Sequence, residues 1–123
     1  MYLTEVDKSR SLLKISCAEH VDAAEVQRCA DELPPLLAEL QPGFRVLADF
    51  SGLESMEVAC APQLARIMDL CNQRGVAMVT RVISDPHKDI GLNIMSLFHY
   101  ARGVRIVTCA TLEEATKVLM SEG

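Results

Sequence analysis

Cysteine, histidine and carboxylate side chains are the groups in this 123-residue chain that could hold a metal or attack a substrate. Their spacing decides which of that chemistry is open. Cys17, Cys29, Cys60, Cys71 and Cys109 form an odd set with no Cys-x-x-Cys pair, whereas zinc sites and disulfide scaffolds need close-spaced ligands or even counts. We expect reduced thiols packed as small apolar side chains. His20, His87 and His99 are distant in sequence and none completes a His-x-x-x-His pair, so no metal site is expected. Cys60 falls near the start of a predicted helix, where a thiol pKa can be lowered, but no base is identifiable to serve it. Neither G-x-G-x-x-G nor G-x-x-x-x-G-K-[ST] occurs, and six glycines build no phosphate-cradling loop. Asp85 and Asp89 suit the N-terminus of a helix, which attracts negative charge, and imply no acid/base pair. The expectation is a non-catalytic chain with no catalytic residue, no metal and no cofactor.

Composition narrows the remaining classes. A net charge of −5 and a pI near 5.1 argue against nucleic acid as partner, because phosphate binding needs a basic surface. Half of the residues are apolar and 24% are charged, as in an ordinary globular protein. The length suits one domain spanning residues 1–123. The first residues carry no basic stretch followed by an apolar core, and no apolar run approaches membrane-spanning length. A cytoplasmic protein without membrane insertion is expected.

Periodicity supplies the elements that must position any site. Residues 2–7 alternate with period two, Lys8–Arg10 reads as a hairpin turn, and residues 11–17 form a second strand. Asp22 then caps a helix whose Ala23, Val26, Cys29, Ala30 and Leu33 share one face. Pro34 and Pro35 predict a kink or restart, since each removes a backbone donor. Residues 44–50 read as a buried central strand, residues 51–56 as a loop, and residues 58–74 as a helix with Pro62 in its first turn and Gly75 as its stop. A strand over 76–83, a helix from Asp85 to about Ala101, a strand over 104–109 and a helix opened by Thr111 complete the pattern. Strand starts about 30 residues apart from Phe44 onward are the spacing of βαβ units, which require a parallel sheet. The N-terminal hairpin adds an antiparallel neighbour. The expected fold is α/β, with a mixed sheet of about five strands and about four helices.

The segment Asp49-Phe50-Ser51-Gly52-Leu53, leading through Glu54, Ser55 and Met56 into a helix, resembles the strand and loop of the anti-sigma-factor antagonists, the STAS or SpoIIAA-like family. The resemblance runs in order over residues 44–119. It implies a protein-interaction or regulatory module of that fold, and it places partner contacts at Ser51, Ser55, Met56, Glu57, Val58 and Cys60. In that family an Asp-Ser-Ser-Gly segment opens the helix, and one of its serines is phosphorylated. Here Glu57 takes the aspartate position, Val58 and Ala59 replace the two serines and Cys60 replaces the glycine. The phosphoacceptor hydroxyl is therefore lost. Ser55 is the nearby serine left as a regulatory candidate, and Asp49 is expected to accept backbone hydrogen bonds.

The predicted helix over 85–101 is apolar over a wider arc than a sheet-packing stripe requires. Leu92, Met95, Phe98 and Tyr100 spread beyond the face made by Ile90, Ile94, Leu97 and Ala101. They suit burial under the neighbouring helix, a homodimer contact, or the wall of a pocket for a small apolar molecule. The partner expected is therefore a protein or a second copy of the chain. An apolar, lipid-like ligand is the alternative, and SpoIIAA-like folds resemble lipid-carrier domains in outline.

Overall fold

In the computed structural model, residues 1–85 and 99–122 are described. Five strands form one mixed sheet in the order β1-β2-β3-β4-β5, comprising β1 Tyr2–Asp7, β2 Leu12–Val21, β3 Arg45–Met56, β4 Met78–Val82 and β5 Arg105–Cys109. β1 and β2 pair antiparallel and every other pairing is parallel. The hairpin closes through a 3-10 turn, Lys8–Arg10, because the Asp7 carboxylate accepts from Ser9 Oγ at 2.7 Å and from the Arg10 backbone N–H at 3.3 Å. β3 is the central strand, as its apolar run predicts.

Three α-helices are described: α1 Ala23–Leu37, α2 Ala61–Gln73 and α3 Leu112–Glu122. α1 opens on a full capping box: Asp22 Oδ1 accepts from Glu25 N at 2.8 Å while Glu25 Oε2 accepts from Asp22 N at 3.2 Å. Two expectations need correction. Of the kink or restart expected at Pro34 and Pro35, the restart is overturned: α1 continues through both residues. Leu33 and Leu37 on its buried face are 0% and 1% exposed, and that packing outweighs the two missing donors. The segment 51–56 is not a loop but the second half of β3, paired with the end of β2. Of the helix expected over 85–101, residues 86–98 lie outside the described residues, and at its end His99 is helical while Tyr100 and Ala101 are not.

Alternation along the strands splits the core between the two sheet faces. Leu13, Ile15, Val46 and Val79 pack with Cys29, Leu33, Leu37 and Cys71 of α1 and α2. Leu47 and Val82 pack with Ala115 and Leu119 of α3 on the other face. β4 is buried along its whole length, as a strand covered on both faces must be. Thr111 caps α3 through Oγ1, which accepts from Glu114 N at 3.1 Å, and Glu113 pairs with Lys117 at 3.5 Å.

Candidate functional site

β4 pairs with β3 only as far as Asp49 and Val82, and β1 pairs with β2 only as far as Cys17. Beyond those points the ends of β2 and β3 continue as a two-stranded ribbon, with Ala18 opposite Gly52, His20 opposite Ser55 and Val21 opposite Met56. Register shifts after Ser16 and Glu19, with Glu19 at φ +59°, bend this ribbon. The strands approach closely at its base, where a Cβ on Gly52 would sit 3.3 Å from Ala18 Cβ. Asp49 Oδ1 accepts from Ser51 N at 2.9 Å, the backbone role expected for it.

From the ribbon the chain passes through Glu57 into a 3-10 turn, Val58–Cys60, and then α2, with Pro62 in its first turn. Three contacts fix this entry. Glu57 N donates to Val21 O at 3.1 Å, Glu57 Oε1 accepts from Ala23 N at 3.0 Å, and Cys60 N donates to Glu57 O at 3.0 Å. Ser51, Ser55, Glu57 and Val58 are exposed, Val58 by 85%, while Met56 is half-buried against the core. Ser55 Oγ lies 2.7 Å from His20 Nδ1. Sequence reasoning missed His20, because only the β2–β3 register reveals that pairing.

Cys60 differs from its neighbours. It is 0% exposed, and its Sγ donates to Val21 O at 3.7 Å. As a partner-contacting residue it is corrected: it holds the helix entry from beneath. Burial raises its thiol pKa, and the Glu57 carboxylate pushes in the same direction. That is opposite to the shift a nucleophilic thiol requires. All five cysteines are buried and free. Among the described residues, no group of three or more His, Cys, Asp or Glu side chains is placed to hold a metal ion, and no helix is long and apolar enough to cross a membrane.

An apolar cavity of about 60 Å³ lies between the sheet and α1 and α2, walled in part by Ile15, Val46, Met68, Cys71 and Tyr100. Pockets for drug-sized ligands occupy roughly 300–1,000 Å³. Tyr100 therefore turns inward onto the core, and burial pushes its phenol above the usual range. His99 Nδ1 contacts Asp69 Oδ1 at 2.7 Å and Ala101 N donates to Asn72 Oδ1 at 2.9 Å, which ties this segment to α2. Leu92, Met95 and Phe98 lie outside the described residues.

No family model matches the chain, and no curated protein matches it. Solved structures do. An uncharacterised DUF3478-family protein with a SpoIIAA-like fold from Shewanella loihica PV-4 superposes with a TM-score of 0.71 at 12% identity, over 96% of this chain and 93% of that one. The anti-sigma factor antagonist SpoIIAA in its unphosphorylated form gives 0.63 at 16% identity, over 98% of each chain. An RsbS variant from Moorella thermoacetica gives 0.64 at 21% identity, over 97% and 96%. The order of strands, the crossing of α1 and α2 on one face and these superpositions agree that the chain has the SpoIIAA-like fold of the anti-sigma-factor antagonists.

Proposed function

We propose that this chain is a non-catalytic protein-interaction or regulatory module, a single domain over residues 1–123 acting in the cytoplasm. Its contact surface is the ribbon end and helix entry over residues 51–59. The observation that carries the reading is the continuous exposed stretch there, in which Val58 is 85% exposed between exposed Glu57 and Ala59 and beside half-buried Met56. An apolar side chain flanked by a carboxylate, mounted on a sheet and a helix, is a rigid anchor for a partner. Val58 and Ala59 carry no hydroxyl, so phosphorylation at these two positions does not control the contact. Ser55 is engaged with His20 in the same surface.

The fold likeness supports the module class, since two of the solved structures it superposes on are an anti-sigma factor antagonist and an RsbS variant. The apolar-carrier alternative gains nothing from a 60 Å³ cavity. The test is affinity capture with the wild type and with Met56→Asp/Glu57→Lys, both checked for folding. Loss of the captured partner in the folded variant supports the assignment, and unchanged capture refutes it.

A further inference from the structure

The chain is acidic overall, yet one of its surfaces is basic. An open groove of about 880 Å³ runs along the starts of the strands, on the sheet face that carries α3. Arg10, Lys14, Arg45 and Arg105 line it, and no acidic side chain does among the described residues. The sheet register explains the clustering. Leu12 is opposite Arg45, Arg45 opposite Met78 and Met78 opposite Arg105, so two guanidinium groups and two apolar side chains share one row across four strands. Arg45 is fixed in place, donating to Leu119 O at 2.6 Å and to Arg10 O at 2.7 Å. Leu47, Met78 and Leu119 give the groove an apolar floor, and Leu112 and Met120 are 39% and 72% exposed at its side. Arg45 also answers the open carbonyls at the C-terminus of α3 through Leu119 O, and Arg10 Nε lies 3.7 Å from Asp7 Oδ2, so these two cations hold the groove's walls as well as charge it.

The far end of the same strands has the opposite character. Glu19, Glu54 and Glu57 are exposed on the ribbon, beside Val58. Nine residue steps along β2 lead from the Leu12 row to Val21, a span of roughly 30 Å. The molecule thus presents exposed carboxylates beside an exposed Val58 at one end of the strands, where the N-terminal ammonium also bonds Ala18 O and His20 O, and a basic groove with an apolar floor at the other.

We infer that the groove receives the acidic ribbon end of a second copy of this chain. This rests on the reading of residues 51–59 as a contact surface and names its partner. Because the two surfaces differ and lie at opposite ends, the contact is heterologous: it repeats head to tail instead of closing as a twofold pair. Charge complementarity sets its strength, so salt weakens it.

Sedimentation velocity over a micromolar to near-millimolar series, at low salt and at half-molar salt, tests this. The wild type is expected to grow beyond a dimer with concentration at low salt and to revert toward monomer at high salt. Arg10→Glu/Lys14→Glu in the groove and Glu19→Lys/Glu54→Lys on the ribbon are each expected to weaken association by about tenfold or more, about 1.4 kcal/mol. An equimolar mixture of the charge-neutral variants Arg10→Gln/Lys14→Gln and Glu19→Gln/Glu54→Gln leaves one intact groove and one intact ribbon end, and should give a 1:1 heterodimer and nothing larger. If the reversed groove fails to fold by thermal melt, Arg10→Gln/Lys14→Gln takes its place. A wild type that stays monomeric, or association unchanged in either variant, overturns the head-to-tail contact. Partner capture that still depends on Met56 and Glu57 would then leave the contact surface standing with a different partner.

Discussion

Glu57 Oε1 accepts a hydrogen bond from the Ala23 backbone N–H at 3.0 Å, so one carboxylate at the end of β3 also serves the first turn of α1. Asp22 already caps Glu25 N in the same turn, and two acidic side chains thus share the donors that a helix start leaves open. The residue proposed to face a partner is also the one that locks the ribbon to the helix layer.

Removing that acceptor has a measurable cost. Glu57→Ala is expected to destabilise the fold by about 1 kcal/mol, lowering Tm by roughly 4 °C, as loss of a capping acceptor does. Glu57→Gln keeps an oxygen in place and should lose less than half of that. Equal losses in both variants, read by thermal unfolding, would assign the effect to charge instead of to the hydrogen bond.

Cys60 should be inert in the folded protein. With its thiol wholly buried and its pKa raised by burial, iodoacetamide at pH 8 should label it far more slowly than in denaturant. Peptide mapping after timed alkylation reads the rate. Preferential labelling of Cys60 in the native protein would contradict the placement and reopen thiol chemistry.

Alkaline pH should weaken the fold through Cys29 and Cys71. Burial pushes both thiols up to about 12 from an ordinary value of 9.0. The folded chain holds these protons more tightly than the unfolded chain, so their contribution is intact below pH 9 and is lost as pH rises from 9 toward 12. At pH 10 each thiol should cost about 1.4 kcal/mol relative to pH 8. Urea midpoints at the two pH values, repeated on Cys29→Ala/Cys71→Ala, check this. An unchanged pH response in the double variant would contradict it.

The turn between α2 and β4 should tolerate no side chain. Gly75 has φ +87°, its carbonyl oxygen accepts from Gly43 N at 2.7 Å, and a Cβ there would meet Pro42 Cβ at 3.0 Å. Gly43 has a similar φ of +93° but open space around it. Gly75→Ala should therefore destabilise by more than Gly43→Ala, for which about 1 kcal/mol of backbone strain is the main cost. Denaturant unfolding of the pair measures the difference, and equal losses would argue that the Pro42 contact yields freely.

Much of the fold is legible in the sequence because its signals are local. Asp22 with Glu25, Thr111 with Glu114, and Pro62 followed by Gly75 mark helix starts and stops through contacts within a few residues. The spacing of the strands from Phe44 onward dictates the parallel arrangement. What is not legible is long-range. Residues 51–56 look like a loop because Ser51, Gly52, Glu54 and Ser55 have turn-forming or polar side chains, yet they pair as strand once β2 extends alongside. The inward turn of Cys60, the His20–Ser55 contact and the basic row at Arg45 and Arg105 all depend on sheet register, which no short window contains. The Pro34-Pro35 pair misleads for a similar reason, since Leu33 and Leu37 bury against elements far away in sequence.

A module that works by contacting other proteins is expected to carry no resident molecule. Native mass spectrometry of gently purified protein, set against its denatured mass, tests this. The expected spectrum holds only whole multiples of the 13.5 kDa chain, with the multiples lost in Glu19→Lys/Glu54→Lys. Reproducible extra mass on the native chain that vanishes on denaturation would contradict it and point to a bound ligand.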